Sequence, residues 1–150
     1  MATKLRHEAA KLYESDFVRW TEEQAAALRA GRIDVLDLEN LAEEIESLGK
    51  KDRRRLKSRL TVLVMHLLKW AHQPDQRSGS WESTIRTQRG ELRQLLEDSP
   101  SLRRELGAAV KERYDMARRN AAAETGLPLG KFPVTCPFAV DEILAEEWLP

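Results

Sequence analysis

LTVLVMHLLKW, residues 60–70, is the most apolar run in the chain. At about 100° per residue in a helix, Leu56, Leu60, Leu63, Val64, Leu67, Leu68 and Ala71 fall on one side. Val62, His66, Lys69, Trp70 and Gln73 fall on the other. A helix apolar around so much of its circumference needs neighbours on most sides. The stretch therefore predicts an all-α fold with this segment at its centre.

Working outward, KKDRRRLKSRL (50–60) supplies strong helix formers that lead into the central run. Pro74 ends it, because proline lacks the amide hydrogen and disfavours helix in the residue before it. Upstream, LENLAEEIESLG (38–49) reads as a separate helix closed by Gly49, with Leu38, Leu41, Ile45 and Leu48 as its core stripe. Ser15 or Asp16 caps a further helix carrying Phe17, Trp20, Gln24, Ala27 and Leu28, and Gly31 stops it. Downstream, Ser78 or Ser80 caps a helix bearing Trp81, Ile85, Gln88, Leu92 and Leu95. Ser99-Pro100 starts another, whose face runs from Leu102 through Leu106, Val110, Tyr114 and Ala117 to Ala121. Gly126 and Pro128 close it. An irregular arm follows, pinned by Phe132, Val134 and Phe138, and then a short helix DEILAEEWL from Asp141.

The predicted organisation is an extension over residues 1–12 that frays, then a single helical domain over 13–150. That domain is a bundle of about five main helices plus a short C-terminal one. No stretch alternates apolar and polar residues between turn signals, as a sheet requires. With Lys+Arg 25 against Asp+Glu 25, no net field favours nucleic acid or an anionic membrane. The single Cys136 excludes an intrachain disulfide and a cysteine-rich zinc site. The opening MATKLRHEAA lacks the apolar core of a signal peptide, so a cytoplasmic, soluble protein is expected.

Four groups of residues could carry chemistry. Glu39, Glu43 and Glu46 form an i, i+4, i+7 carboxylate stripe. A dinuclear metal site in a helical bundle also wants Glu-x-x-His, which is missing here, so no metal ligands are assigned. His66 and Lys69 interrupt the central helix. A lysine is costly to bury unpaired. If the chain folds back at Gly49, Glu43 or Glu46 would be the partner of Lys69, with His66 beside them. Trp81, Arg86, Gln88 and Arg89, within SWESTIRTQR (80–89), combine an aromatic ring with arginines as single-strand nucleic-acid sites do. Salt bridging to the glutamate stripe explains the same residues. Cys136 lies next to Pro137 with no histidine near in sequence, and no Gly-x-Ser-x-Gly turn occurs, so no nucleophile is assigned.

These segments, taken in order, resemble a bacterial family catalogued as domain of unknown function number twenty-nine. The likeness runs from Tyr13-Glu14-Ser15-Asp16-Phe17 and Trp20 through LDLENLAEEIESLG (36–49), HLLKWAHQP (66–74), SWESTIRTQR and SPSL (99–102). It continues in ETGLP (124–128), Phe132-Pro133, Cys136-Pro137-Phe138 and Leu149-Pro150. The resemblance implies an all-helical domain and supplies neither an activity nor catalytic residues.

The reading that follows is a non-enzymatic binding or protein-interaction module, without cofactor, partnered by protein and not by a membrane. A nucleic-acid-binding protein using Trp81, Arg86 and Arg89 is one alternative. A metal-assisted hydrolase using Glu39, Glu43, Glu46 and His66 is the other. A monomer is favoured over a homodimer, because Phe132, Phe138, Trp148 and Leu149 are expected to dock on their own bundle.

Overall fold

The computed structural model describes the backbone of residues 1–150 and every side chain but that of Ala2. Its longest element is a 35-residue helix, Leu38–His72, that contains both the glutamate stripe and the central apolar run. Gly49 does not end it. A glycine inside a helix costs about 1 kcal/mol relative to alanine, and the strong helix formers on both sides outweigh that. The glycines that do stop helices have the left-handed conformation: Gly31 at φ 69° and Gly126 at φ 72°. Gly49 is not among them.

Among the described residues there are six α-helices and no strand. They are α1 (Ala2–Ser15), α2 (Phe17–Arg29), α3 (Leu38–His72), α4 (Gly79–Asp98), α5 (Leu106–Thr125) and α6 (Val140–Leu144). The all-α class is as read from sequence, yet the five long helices are a different five. Two predicted helices merge into α3, and the N-terminal residues form α1. Single-turn and two-turn 3₁₀ segments fill the connections, including Pro100–Glu105, which precedes α5 and carries Leu102 into the core. The chain divides into two compact units, residues 1–51 and 52–150, with the boundary inside α3.

In the first unit Asp16 separates α1 from α2 and caps α2 by accepting from the Arg19 amide at 3.1 Å. Tyr13, Phe17 and Trp20 form an aromatic cluster with ring centroids 4.9–5.7 Å apart. Trp20 is buried and its indole Nε1 donates to Asp37 Oδ2 at 3.2 Å. Asp37 in turn receives Asn40 Nδ2 at 2.7 Å, and its own amide donates to Gln24 Oε1 at 2.8 Å. Gln24 and Asp37 are buried polar groups that satisfy one another. The predicted core stripe of this segment is not core: Leu38, Ile45 and Leu48 are 53%, 67% and 66% exposed. The aromatic cluster takes the neighbouring side of the helix instead, where Tyr13 donates to Glu44 Oε1 at 2.6 Å.

In the second unit the C-terminal part of α3 is the central element. Leu60, Leu63, Leu67 and Leu68 have no exposed surface. Ile85, Leu92 and Leu96 of α4, and Leu106, Val110, Tyr114, Ala117 and Ala121 of α5, complete a continuous core with them. The arm after α5 is held by Phe132, which is fully buried, and by hydrogen bonds from α5 to its backbone. Tyr114 donates to the Pro133 carbonyl at 2.6 Å, and Arg118 donates to those of Phe132 and Leu129. Val134, expected to help pin the arm, is exposed. The last helix is only five residues long, Val140–Leu144, although apolar spacing suggests that it continues to Leu149. Ile143 is fully buried, and Trp148 packs against Phe138 with centroids 5.5 Å apart.

Candidate functional site

His66, Lys69 and Gln73 lie at i, i+3 and i+7 on α3, hence on one face. All three meet the C-terminal end of α5 or its surroundings. Lys69 Nζ contacts Glu124 Oε2 at 2.5 Å and sits 4.5 Å from the centre of the Trp81 ring. Gln73 Nε2 donates to the Thr125 carbonyl at 3.4 Å. The Lys69 side chain is 7% exposed against 47% for Glu124, so one partner is dry and the other reaches solvent.

His66 is buried, and its Nδ1 lies 2.9 Å from the Val62 carbonyl one turn back. A carbonyl oxygen only accepts, so Nδ1 carries the proton. Burial pushes the imidazole below the ordinary histidine range and the Lys69 charge adds to that, against the opposing pull of Glu124 and of the Val62 bond. The neutral form is thus the one that the site favours. The cluster is a buried cation clamped by a carboxylate and an indole face, with a neutral imidazole nearby. Each charged group in it already has a partner.

The partner of Lys69 is therefore Glu124, and neither Glu43 nor Glu46. The expected pairing required a fold-back at Gly49, and α3 has none. Glu39, Glu43 and Glu46 are all exposed. Among the described residues no three His, Cys, Asp or Glu side chains gather where they could hold a metal ion. Glu39, Glu43 and Glu46 belong to the first unit and His66 to the second.

The SWESTIRTQR residues diverge as well. Trp81 is half-buried over Lys69. Gln88 Oε1 accepts from Arg59 Nη1 at 3.4 Å, within an exposed-to-intermediate groove. Arg89 is 3% exposed and its guanidinium donates to three backbone carbonyls: Ile143 at 2.9 Å, Glu146 at 3.2 Å and Glu142 at 3.3 Å. Two of these belong to the last turn of α6, where Glu142 also accepts from the Ala145 amide at 3.2 Å. Only Arg86 remains on the surface, within reach of Glu82 at 3.4 Å. The structure does not gather Trp81, Arg86, Gln88 and Arg89 into one stacking and phosphate-binding face. Cys136 is half-buried, and burial pushes its thiol up, away from a reactive thiolate.

Sequence reasoning missed Glu124. A signal for it exists: α3, α4 and α5 follow one another through short connections, so α3 and α5 run in the same direction and end at the same end. Lys69 and Glu124 are each in the last turn or so of their helices.

The first unit presents a different kind of site. Leu38, Leu41, Ile45 and Leu48 have the 3-4-3 spacing of a coiled-coil seam, and three of the four are more than half exposed. Ala42 and Gly49, both exposed, lie beside the seam. Elsewhere in this unit α1, α2 and the Ile33–Val35 turn enclose an open groove of about 620 Å³, lined by Leu5, Ala9, Leu12, Ala27 and Val35. The arginines at its rim are already paired, Arg19 with Glu23 at 2.9 Å and Arg32 with Asp34 at 3.0 Å. No helix among the described residues is long and apolar enough to cross a membrane.

A family model described as "Domain of unknown function DUF29" matches residues 12–149. No curated protein and no solved structure matches the chain.

Proposed function

We propose that this chain, which belongs to the DUF29 family, works as a non-enzymatic protein-interaction module. The observation that carries the reading is the uncovered seam at Leu38, Ile45 and Leu48. Fully covering one such side chain is worth about 1.5–3 kcal/mol relative to leaving it in water. Single exposed apolar residues need no explanation, but a periodic row on one helix is the pattern that a partner helix recognises. The buried polar cluster supports the same reading from the other side. Lys69, Glu124 and Trp81 engage one another, leaving no unpaired charged group among them to act on a substrate. A reducing cytoplasm suits a chain whose one cysteine, Cys136, is free.

The test compares two baits, the native chain and Ile45→Glu/Leu48→Glu, in extracts of the source cells. Both positions are exposed, so the variant should keep its helical circular dichroism and melting temperature. At least one protein should be retained by the native chain and lost from the variant. Identical sets on both baits would overturn the reading.

A further inference from the structure

Gln24 lines the groove of the first unit and is 4% exposed. Its Oε1 accepts from the Asp37 amide at 2.8 Å, a bond that engages only the carbonyl half of the side chain. A backbone N–H only donates, so the oxygen must face it and the NH2 end is fixed on the far side. There Nε2 donates to no group among the described residues. Among those residues Arg113 Nε is the single fully enclosed side-chain nitrogen or oxygen that lacks a partner. Gln24 Nε2 therefore touches open space, and the space that Gln24 borders is this groove. A donor held in so dry a place and left unmade costs free energy, which a ligand oxygen would recover.

We propose that the groove between α1, α2 and the Ile33–Val35 turn binds an uncharged acyl compound, an ester, amide or lactone with an apolar chain, whose carbonyl oxygen accepts from Gln24 Nε2. This site is separate from the seam on α3 and goes beyond the interaction-module reading.

Size and lining suit such a molecule. Small-molecule sites are mostly apolar with a few fixed polar groups, and about 620 Å³ lies within their usual range. From Gln24 to Ala30 the groove follows α2 for about 9 Å, bordered by the methyls of Ala26, Ala27 and Ala30. Leu5, Leu12 and Val35 line it from α1 and the turn. Small side chains along one wall leave room for an extended alkyl chain. The charges at the rim select against an ion. Arg19 pairs with Glu23 at 2.9 Å and Arg32 with Asp34 at 3.0 Å, so an anion must break an ion pair to gain a guanidinium. It also meets the exposed Glu8. A cation has no acceptor to offer Gln24 Nε2. A neutral carbonyl accepts the one buried hydrogen bond and disturbs neither pair. The Asp37 bond holds Gln24 in place before any ligand arrives, so little ordering is needed there on binding.

The test uses prodan, an uncharged naphthalene ketone whose emission reports polarity. The native chain should bind it saturably, at one site per chain, with a blue shift. The carbonyl stretch of the bound probe should lie below its position in hexane, as hydrogen bonding to the ketone requires. Methyl decanoate should displace the probe, and decanoate ion at the same concentration should not. Gln24→Glu keeps an oxygen for the Asp37 amide and removes the donor, so it should weaken prodan binding about tenfold or more. Ala26→Leu/Ala30→Leu fills the groove from two exposed positions. It should keep the native helical signal and melting temperature and lose the probe, which keeps the test valid if the new carboxylate at position 24 disturbs folding. No saturable binding by the native chain, undiminished binding by Ala26→Leu/Ala30→Leu, or equal displacement by ester and ion overturns the proposal. Undiminished binding by a folded Gln24→Glu does so too.

Discussion

Removing Glu124 should cost far more than removing the lysine that it holds. In Glu124→Ala the Lys69 ammonium keeps its buried position and loses its one carboxylate, retaining only the Trp81 face 4.5 Å away. Stranding one member of a fully buried pair costs roughly 3–5 kcal/mol. Glu124 is half exposed, so water can partly replace it, and a charge-assisted bond worth roughly 1.5–3 kcal/mol is the better guide. For a chain of this size each kcal/mol moves the midpoint by about 2–4 °C, so a fall of several degrees should be readily measured. Lys69→Met does the opposite: it removes the buried charge and fills its path with a side chain of similar length. Glu124, freed, rehydrates at little cost. That variant should stay within about 1 kcal/mol of the native chain, and the double variant should match Lys69→Met instead of adding Glu124→Ala to it. Urea denaturation of the four proteins reads all three numbers. Equal and additive losses would show that the two side chains are energetically independent and refute the clamp.

Other perturbations test separate parts of the structure. Arg89→Lys keeps the charge but not the planar fork. It should cost about 2–4 kcal/mol and raise amide exchange over residues 140–148, and unchanged exchange there would mean that Arg89 does not hold α6. Hydrogen bonding to Glu44 and burial push the Tyr13 phenol up to about 12, and burial, with a smaller push from Cys136, does the same for Tyr114. Glu44→Gln should therefore bring one of the two tyrosines back toward about 10 in an ultraviolet titration, and two unmoved tyrosines would count against the bond. His66 is held below its unfolded value chiefly by burial. The unfolded chain then takes up a proton that the folded one refuses, so stability is complete above about pH 6.5 and declines on acidification below it. His66→Met should flatten that decline in part, because burial pushes His72 the same way. A slope identical to that of the native chain would show that His66 titrates alike in both states.

Why some of this is legible in the sequence and some not comes down to what local patterns encode. The run at 60–70 is readable because apolarity around most of a helix leaves water no side to contact. The stripe at 38–48 looks just as much like core, yet periodicity specifies only that one face is apolar. It does not say whether that face meets the same chain, another copy or solvent. Gly49 misleads for a related reason. Gly126 is followed by Pro128, which cannot continue a helix, whereas Gly49 is followed by lysines and arginines that propagate one. The glycine alone does not distinguish a C-cap from a helix interior; the residues after it do. That Lys69 needs a carboxylate follows from its apolar neighbours, but the pairing depends on α3 and α5 ending at the same level, a property of topology. Arg89 is the clearest case. It sits among arginines suited to a nucleic-acid surface, and nothing nearby marks it as the residue that receives the carbonyls of a helix more than fifty positions away. Local chemistry thus identifies which side chains need partners. Only the fold determines which partners they find, and among the described residues it leaves the seam of α3 as a strongly patterned face still without one.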